Sequence, residues 1–232
     1  MFDGKFKAIT FSYDDGVTQD KRLIEIFDKY GLKATFNINS GMLGTAQGLI
    51  RDNVTVAHVK PQPCEIAEIY KNHEVAAHTL THPRLTEIAD ETEIIRQVEE
   101  DRRVLSRLVG YEVCGMAYPC GGVNNDERVA SIIKNNTGIK YSRTITSSHS
   151  FDLQSNLYRF NPTVHNSELK DRPELLNDFL NLKADRPQLL YIWGHSYEFD
   201  IDNSWGWFED LCRELSNRDY IFYGTNREVF GF

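Results

Sequence analysis

"ITFSYDDGVTQDKRLIEIFDKYGLKATFNI", Ile9 to Ile38, sets two short apolar runs on either side of an amphipathic stretch. Ala8–Tyr13 and Ala34–Ile38 are rich in β-formers, and Gln19–Tyr30 places Leu23, Ile26, Phe27 and Tyr30 on one helical face before stopping at Gly31. Strand, helix, strand within thirty residues is a parallel crossover unit. The pattern then repeats. Further strands are expected at Glu74–Ala77, Val113–Tyr118, Ile139–Arg143, Leu189–Trp193 and Tyr220–Tyr223. Helices are expected at Glu65–Asn72, Glu91–Val109, Asp126–Asn136, Pro173–Lys183 and Trp205–Asn217. The helix at Glu91–Val109 has Asp90 as its N-cap and Gly110 just past its end. No repeat or linker divides the chain, so residues 1–232 read as one α/β domain. Periodicity alone leaves a barrel and an open doubly wound sheet both available.

Two sections break the rhythm. Gly41–Pro63 contains "LIRDNVTVAHVK", read as a small hairpin around Asp52-Asn53 that decorates the loop after the second strand. Ser147–Arg159 is long and irregular.

Composition removes several function classes. Hydrophobic residues make up 41% and charged residues 26%, an ordinary globular profile, and the formal net charge is −8. Without a basic stripe, nucleic acid and anionic membrane surfaces are not expected partners. No segment approaches the ~20 apolar residues of a membrane span. The start "MFDGKFKAITF" lacks the apolar core and cleavage site of a signal peptide, so the expected compartment is the cytoplasm. The four cysteines (Cys64, Cys114, Cys120, Cys212) form no CxxC pair and read as neither a disulfide framework nor a structural zinc site.

Chemistry gathers at strand ends. Asp14 and Asp15 follow the first strand, "HTLTH" (His78–His82) follows "EVAA", "YPCGG" (Tyr118–Gly122) follows "GMA", and His195 follows "LLYIW". In parallel β/α folds the C-terminal strand edge is where functional groups collect. Adjacent carboxylates repel and need a cation nearby; the plainer reading of Asp14-Asp15-Gly16 is a polar turn. Histidines four apart can reach one metal, and one aspartate would complete a His₂–carboxylate set. Its charge would relieve the carboxylate repulsion, leaving the other aspartate as general base. Pro83 disfavours a helix at His82, so a tight loop is expected there.

"FSYDDG", "HTLTH", "AYPCGG" and "YIWGH" resemble the successive motifs of the polysaccharide deacetylase family, carbohydrate esterase family four, from about Ile9 to Phe232. The resemblance implies a distorted barrel of about seven β/α units and metal-dependent removal of acetyl groups from sugars. By position it implies Asp14 as catalytic base and Asp15, His78 and His82 as ligands of one divalent metal ion, with zinc the default for this donor set. His195 resembles the general acid, and the Cys120 N–H the oxyanion donor. Tyr118, Trp193 and Arg143 complete the candidate oxyanion and substrate-binding set.

The sequence departs from the family where an arginine usually braces the catalytic aspartate: Ala117 stands there, and Cys120 replaces an aromatic. Arg143 and Arg159 are the candidate substitutes. No DxxDW-type motif follows Ser147, and Glu198 is a candidate partner of His195 by proximity alone. Tyr197, Trp205 and Trp207 fall near His195 in sequence and, with Trp193, suit either sugar stacking or core packing. His73 reads as an edge histidine and His165 as a loop histidine. Asn37 and Asn39 fit either a wet barrel centre or the solvent side of an edge. The expected partner is a small soluble saccharide or similar small amide; the alternatives are a cyclic imide or ureide amidohydrolase and a non-catalytic carbohydrate-binding protein.

Overall fold

The structure, a computed structural model, describes residues 2–51 and 53–232. Asp52, where the sequence places the hairpin turn, lies outside the described residues. Ten strands are present: β1 (Lys7–Asp15), β2 (Ala34–Ile38), β3 (Ala46–Arg51), β4 (Val54–Val59), β5 (Glu74–Ala77), β6 (Gly115–Ala117), β7 (Tyr141–Arg143), β8 (Val164–His165), β9 (Gln188–Gly194) and β10 (Ile221–Tyr223). Seven of them pair in parallel in the order β7-β6-β5-β2-β1-β9-β8, and β10 adds to the first residues of β1. The sheet curls. Phe160 bridges Arg143 at the end of β7, and five residues later His165 pairs with Trp193 of β9, so the segment around Phe160–His165 joins the two ends of the sheet. β8 is the strand that sequence reading missed: two residues are too short to carry a period.

The alternation of β1 explains why a curled sheet forms. Ile9, Phe11 and Tyr13 point outward into the main apolar core, where Phe27, Phe199 and Phe208 pack on them from the helices. The intervening Thr10, Ser12 and Asp14 point inward and are as fully buried. Their polar atoms need partners, because a buried unpaired polar group costs about 1–3 kcal/mol. Thr10 donates to Asn226, and Asn37 donates to Ser12 and to Asp14. The interior is therefore a hydrogen-bonded column, which resolves the position of Asn37: it stands inside the barrel.

The helix expected at Glu91–Val109 is helical throughout but widens to a π-type turn at Arg96–Glu100. That widening leaves the Gln97 carbonyl free to accept from Leu80 N–H, and the Gln97 side chain binds Thr81. The first-turn reading at Glu65–Asn72 shortens to Ile66–Ile69 after a 3₁₀ turn. None of the described helices is long and apolar enough to cross a membrane.

Candidate active site

Six strands of the curled sheet bring functional groups to the same rim. Asp14 and Asp15 end β1, His78 follows β5, Tyr118 and Cys120 follow β6, Arg143 ends β7, His165 ends β8 and His195 follows β9. All but the buried Arg143 line one cavity of about 480 Å³, within the range of small-molecule sites.

Asp14 sits at the bottom, 2% exposed. The Arg143 guanidinium donates to both of its carboxylate oxygens at 2.5 Å, and Asn37 donates to Oδ1 at 2.8 Å. Arg143 is itself fully buried, donates to the Thr144 carbonyl and lies over the Trp193 ring at 4.4 Å. Burial pushes the Asp14 carboxyl up, but Arg143, with His78 and His195, outweighs it, and Asp14 lies below the usual carboxylate range. Ala117 and Arg143 are register partners across β6 and β7. The positive charge that "AYPCGG" lacks thus arrives from the next strand at the same height. Arg143 is consequently a brace for Asp14; it offers no exposed surface to a substrate. Arg159 instead bonds Asn125 and lies 3.7 Å from Glu127, away from Asp14.

Asp15 faces the histidine pair. His82 Nε2 is 3.5 Å and His78 Nε2 is 3.9 Å from Asp15 Oδ1. His78 donates through Nδ1 to the Ala117 carbonyl at 2.9 Å, which leaves its Nε2 lone pair pointing at the carboxylates. His82 Nδ1 meets Cys120 Sγ at 3.7 Å. Burial lowers His78 to about 4 and also lowers His82, so both rings are neutral at physiological pH. Two neutral imidazoles and a carboxylate with their donor atoms within 4.8 Å of one another fit a divalent cation.

The loop that carries the pair is not helical. Pro83 follows it, and Thr79 (φ 67°) and His82 (φ 62°) take left-handed backbone. Asp15 (φ 80°) and Cys120 (φ 68°) do the same across the cavity. Such conformations cost about 1–3 kcal/mol each and need outside support. Asn39 supplies it by donating to the His78 and Thr79 carbonyls, and buried Asp101 accepts from the His78 and Ser40 amides. Burial raises Asp101 to about 7 in spite of those bonds. Gly16 (φ 60°) is forced: a Cβ there would come within 2.9 Å of Ile38.

Sequence reading missed His58 and Lys60. The hairpin β3–β4, expected as decoration, folds over the site. Thr18 N–H donates to the Val59 carbonyl, and Val56 packs with Val17 and Tyr197. His58 Nε2 then lies 3.3 Å from Asp15 Oδ2. Lys60, 2% exposed, donates to the Asp15 carbonyl and to Asn39, with Nζ 3.8 Å from Asp15 Oδ1. Burial raises Asp15, yet the His58 bond and the Lys60 charge, with His195 and His78, hold it well below the usual range. The two adjacent carboxylates are therefore compensated by Arg143 and Lys60 from the protein itself. Arg143 and Lys60 thus share the compensation that the sequence reading assigned to a metal's charge.

Opposite stands His195. Its Nδ1 donates to Glu198 Oε1 at 3.0 Å, and Glu198 Oε2 accepts from the His195 amide at 3.1 Å. Burial works against charge on His195, but Glu198 prevails and raises it to about 9. Burial likewise opposes charge on Glu198, and the two histidines hold it far below its ordinary value. Glu198 is thus the tuning residue that the motif search lacked. His165, read as a loop histidine, places Nε2 3.2 Å from Glu198 Oε2.

The other candidates divide. Trp193 walls the cavity. Tyr118 borders it, but its ring is in the core and its hydroxyl donates to the Tyr158 carbonyl, so no phenol is presented to a ligand. Cys120 lines the cavity, and burial raises its thiol, which keeps it neutral. Tyr197 lies against His195 and His58. Trp205 packs on Phe199 and Trp207 on Phe208, so both belong to the core side. His73 accepts from Ala34 N–H and lies 3.3 Å from Asp28, but it precedes an interior strand and is buried against Phe27 and Phe36, which corrects the edge reading.

A polysaccharide deacetylase family model matches residues 3–141, more than half the chain. The chain belongs to the polysaccharide deacetylase family. The deacetylase fold recurs in solved structures. Peptidoglycan deacetylase PdaC from Bacillus subtilis is 17% identical, with 98% of this chain and 91% of that chain covered and a TM-score of 0.57. A polysaccharide deacetylase from Bacillus cereus is 18% identical at a TM-score of 0.52, covering 65% of this chain and 44% of that one. The chain thus spans less than half of that protein. A CE4 family pseudoenzyme from Bacillus anthracis is 18% identical, covering 96% and 65%, with a TM-score of 0.53. No curated protein matches. Within the family, this chain carries its brace for Asp14 on β7 and adds His58 and Lys60 from the hairpin.

Proposed function

We propose that this chain is a divalent-metal-dependent hydrolase that removes an acetyl group, N-linked in the first instance, from a small saccharide. One observation carries the reading: an ionised carboxylate, a three-donor cation site and a charged histidine converge on one small cavity. Asp15, His78 and His82 would hold the cation, and zinc suits them. Such a cation supplies Lewis acidity, lowering the pKa of a water and stabilising negative charge on the acyl oxygen.

The remaining work falls to side chains. Asp14, held ionised and oriented by Arg143 and Asn37, takes the proton from the attacking water. Cys120 lines the cavity, and its backbone N–H is the donor we assign to the developing oxyanion. His195, charged because of Glu198, gives its Nε2 proton to the departing amine. Trp193, 7% exposed with Arg143 over its ring, contributes part of the wall that a sugar would meet. The cavity volume favours a mono- or disaccharide over a long polymer.

The test is acetate release from N-acetylglucosamine and its oligomers, with zinc-loaded and chelated protein, beside ring opening of small cyclic imides. Zinc-dependent acetate release whose kcat/KM levels off beyond two or three sugar units supports the proposal. A steady rise with oligomer length would replace the small substrate with a polymer. Sugar binding with no acetate release would make the chain a binding protein on the same scaffold.

A further inference from the structure

His165 has no part in the reaction just described, yet it completes a second donor cluster. His165 Nε2 lies 3.2 Å from Glu198 Oε2, and His195 Nδ1 lies 3.0 Å from Glu198 Oε1. One donor atom from each of the three residues falls within 4.8 Å of the others, separate from the Asp15, His78, His82 set. Zinc bound tetrahedrally at about 2.0–2.1 Å holds neighbouring ligand atoms roughly 3.4 Å apart, so atoms that start within 4.8 Å of one another must close by up to about an ångström to share one ion. The three side chains are also well supported. The side chains of His165, His195 and Glu198 are 16%, 18% and 11% exposed, His165 packs edge-on against Trp193 at 4.6 Å, and Glu198 accepts from the His195 amide. All three line the catalytic cavity, which a hydrated ion can enter; Arg51, exposed on the same cavity and donating to Glu198 Oε1 at 3.1 Å, must swing away as the ion arrives.

We propose that His165, His195 and Glu198 form a second, inhibitory site for a divalent transition-metal cation such as zinc. On binding, the His195 Nδ1 proton leaves to solvent and its lone pair goes to the ion. His165 turns its Nε2 lone pair to the same ion as its proton moves to Nδ1, which gives up the bond it accepts from the Ser167 N–H at 3.2 Å and donates instead to Ser167 Oγ at 2.7 Å. Glu198 is then a ligand and no longer a partner of the imidazolium. An imidazole with a cation on Nδ1 keeps only its Nε2 proton, and giving that up would leave an imidazolate, so His195 stops acting as an acid. The consequence for turnover rests on the deacetylase reading; the binding itself does not. Because the ion displaces a bridging proton, this site fills after the first one.

Zinc uptake by the full chain, measured by equilibrium dialysis, tests the site, with acetate release followed in parallel. The expected result is one equivalent at low free zinc and a second at roughly tenfold or more higher concentration, with turnover falling over the second range. His165→Ala should keep the first equivalent, which also reports a folded site, and lose the second together with the inhibition. His78→Ala should lose the first and keep the second. A single equivalent up to millimolar zinc, or a second equivalent that survives in His165→Ala, overturns the proposal. If no substrate releases acetate, the count of bound zinc still decides it.

Discussion

Replacing Glu198 with Gln keeps the shape of the side chain and removes the charge that holds His195 in its imidazolium form. The free imidazole value is 6.5, and Glu198 brings His195 to about 9 against the pull of burial. At about 1.36 kcal/mol per pH unit, that is about 3 kcal/mol of added preference for the charged ring. The sign follows from the role. A general acid must be protonated, so a raised value extends activity upward in pH, and activity is lost as pH passes about 9. In Glu198→Gln burial remains and the carboxylate does not, so His195 falls to its free value or lower. At pH 8 the protonated fraction then drops from about nine-tenths to a few hundredths, a loss of roughly 30-fold in kcat/KM. At pH 5.5 the variant should lie within about threefold of the parent, because both rings are then mostly charged. The assay is the kcat/KM profile for acetate release from pH 5 to 10, with His195 titrated in parallel by NMR. A loss of the same size at every pH, or a basic limb that does not move, would refute the assignment of Glu198 as the tuning residue.

Asp14→Asn should retain zinc and lose roughly 10²–10⁴-fold in kcat, the range of a missing general base; loss of the metal on dialysis would show that Asp14 is a ligand. Arg143→Met leaves Asp14 buried and unpaired, which typically costs about 3–5 kcal/mol, so denaturant unfolding should show a drop of that size. A drop under about 1 kcal/mol would mean that the Arg143–Asp14 pair is not what stabilises this carboxylate. Lys60→Met removes the buried cation beside Asp15, and the chelated protein should melt lower by roughly 6–12 °C. Zinc should restore more than half of that difference by supplying charge at the same carboxylate; equal losses with and without zinc would assign Lys60 a packing role only.

The local chemistry of the chain was legible in its sequence. Short runs rich in β-formers mark β1 and β2, which are buried on both faces, and a 3.6-residue period marks the helix between them, which buries one face. Asp14, Asp15, His78, His82 and His195 stand out because their strands carry them to the same edge. Two-residue β8 escaped because it has no room for a period, and the π-type turn at Arg96–Glu100 because it keeps the helical pattern almost intact.

What the tertiary structure decided is which distant residues neutralise that chemistry. Register across β6 and β7 puts Arg143 beside Ala117 and so beneath Asp14, a relation with no trace in sequence spacing. The hairpin reads as a decoration because it breaks the strand–helix rhythm, and only its docking on Val17 and Tyr197 brings His58 and Lys60 to Asp15. Glu198 was visible as a neighbour of His195, but its grip on His165 as well depends on β8 lying against β9. Secondary structure is written in short-range periodicity. The charge balance of a buried site is set by contacts at separations of 43, 45 and 129 residues, and only the folded chain defines those.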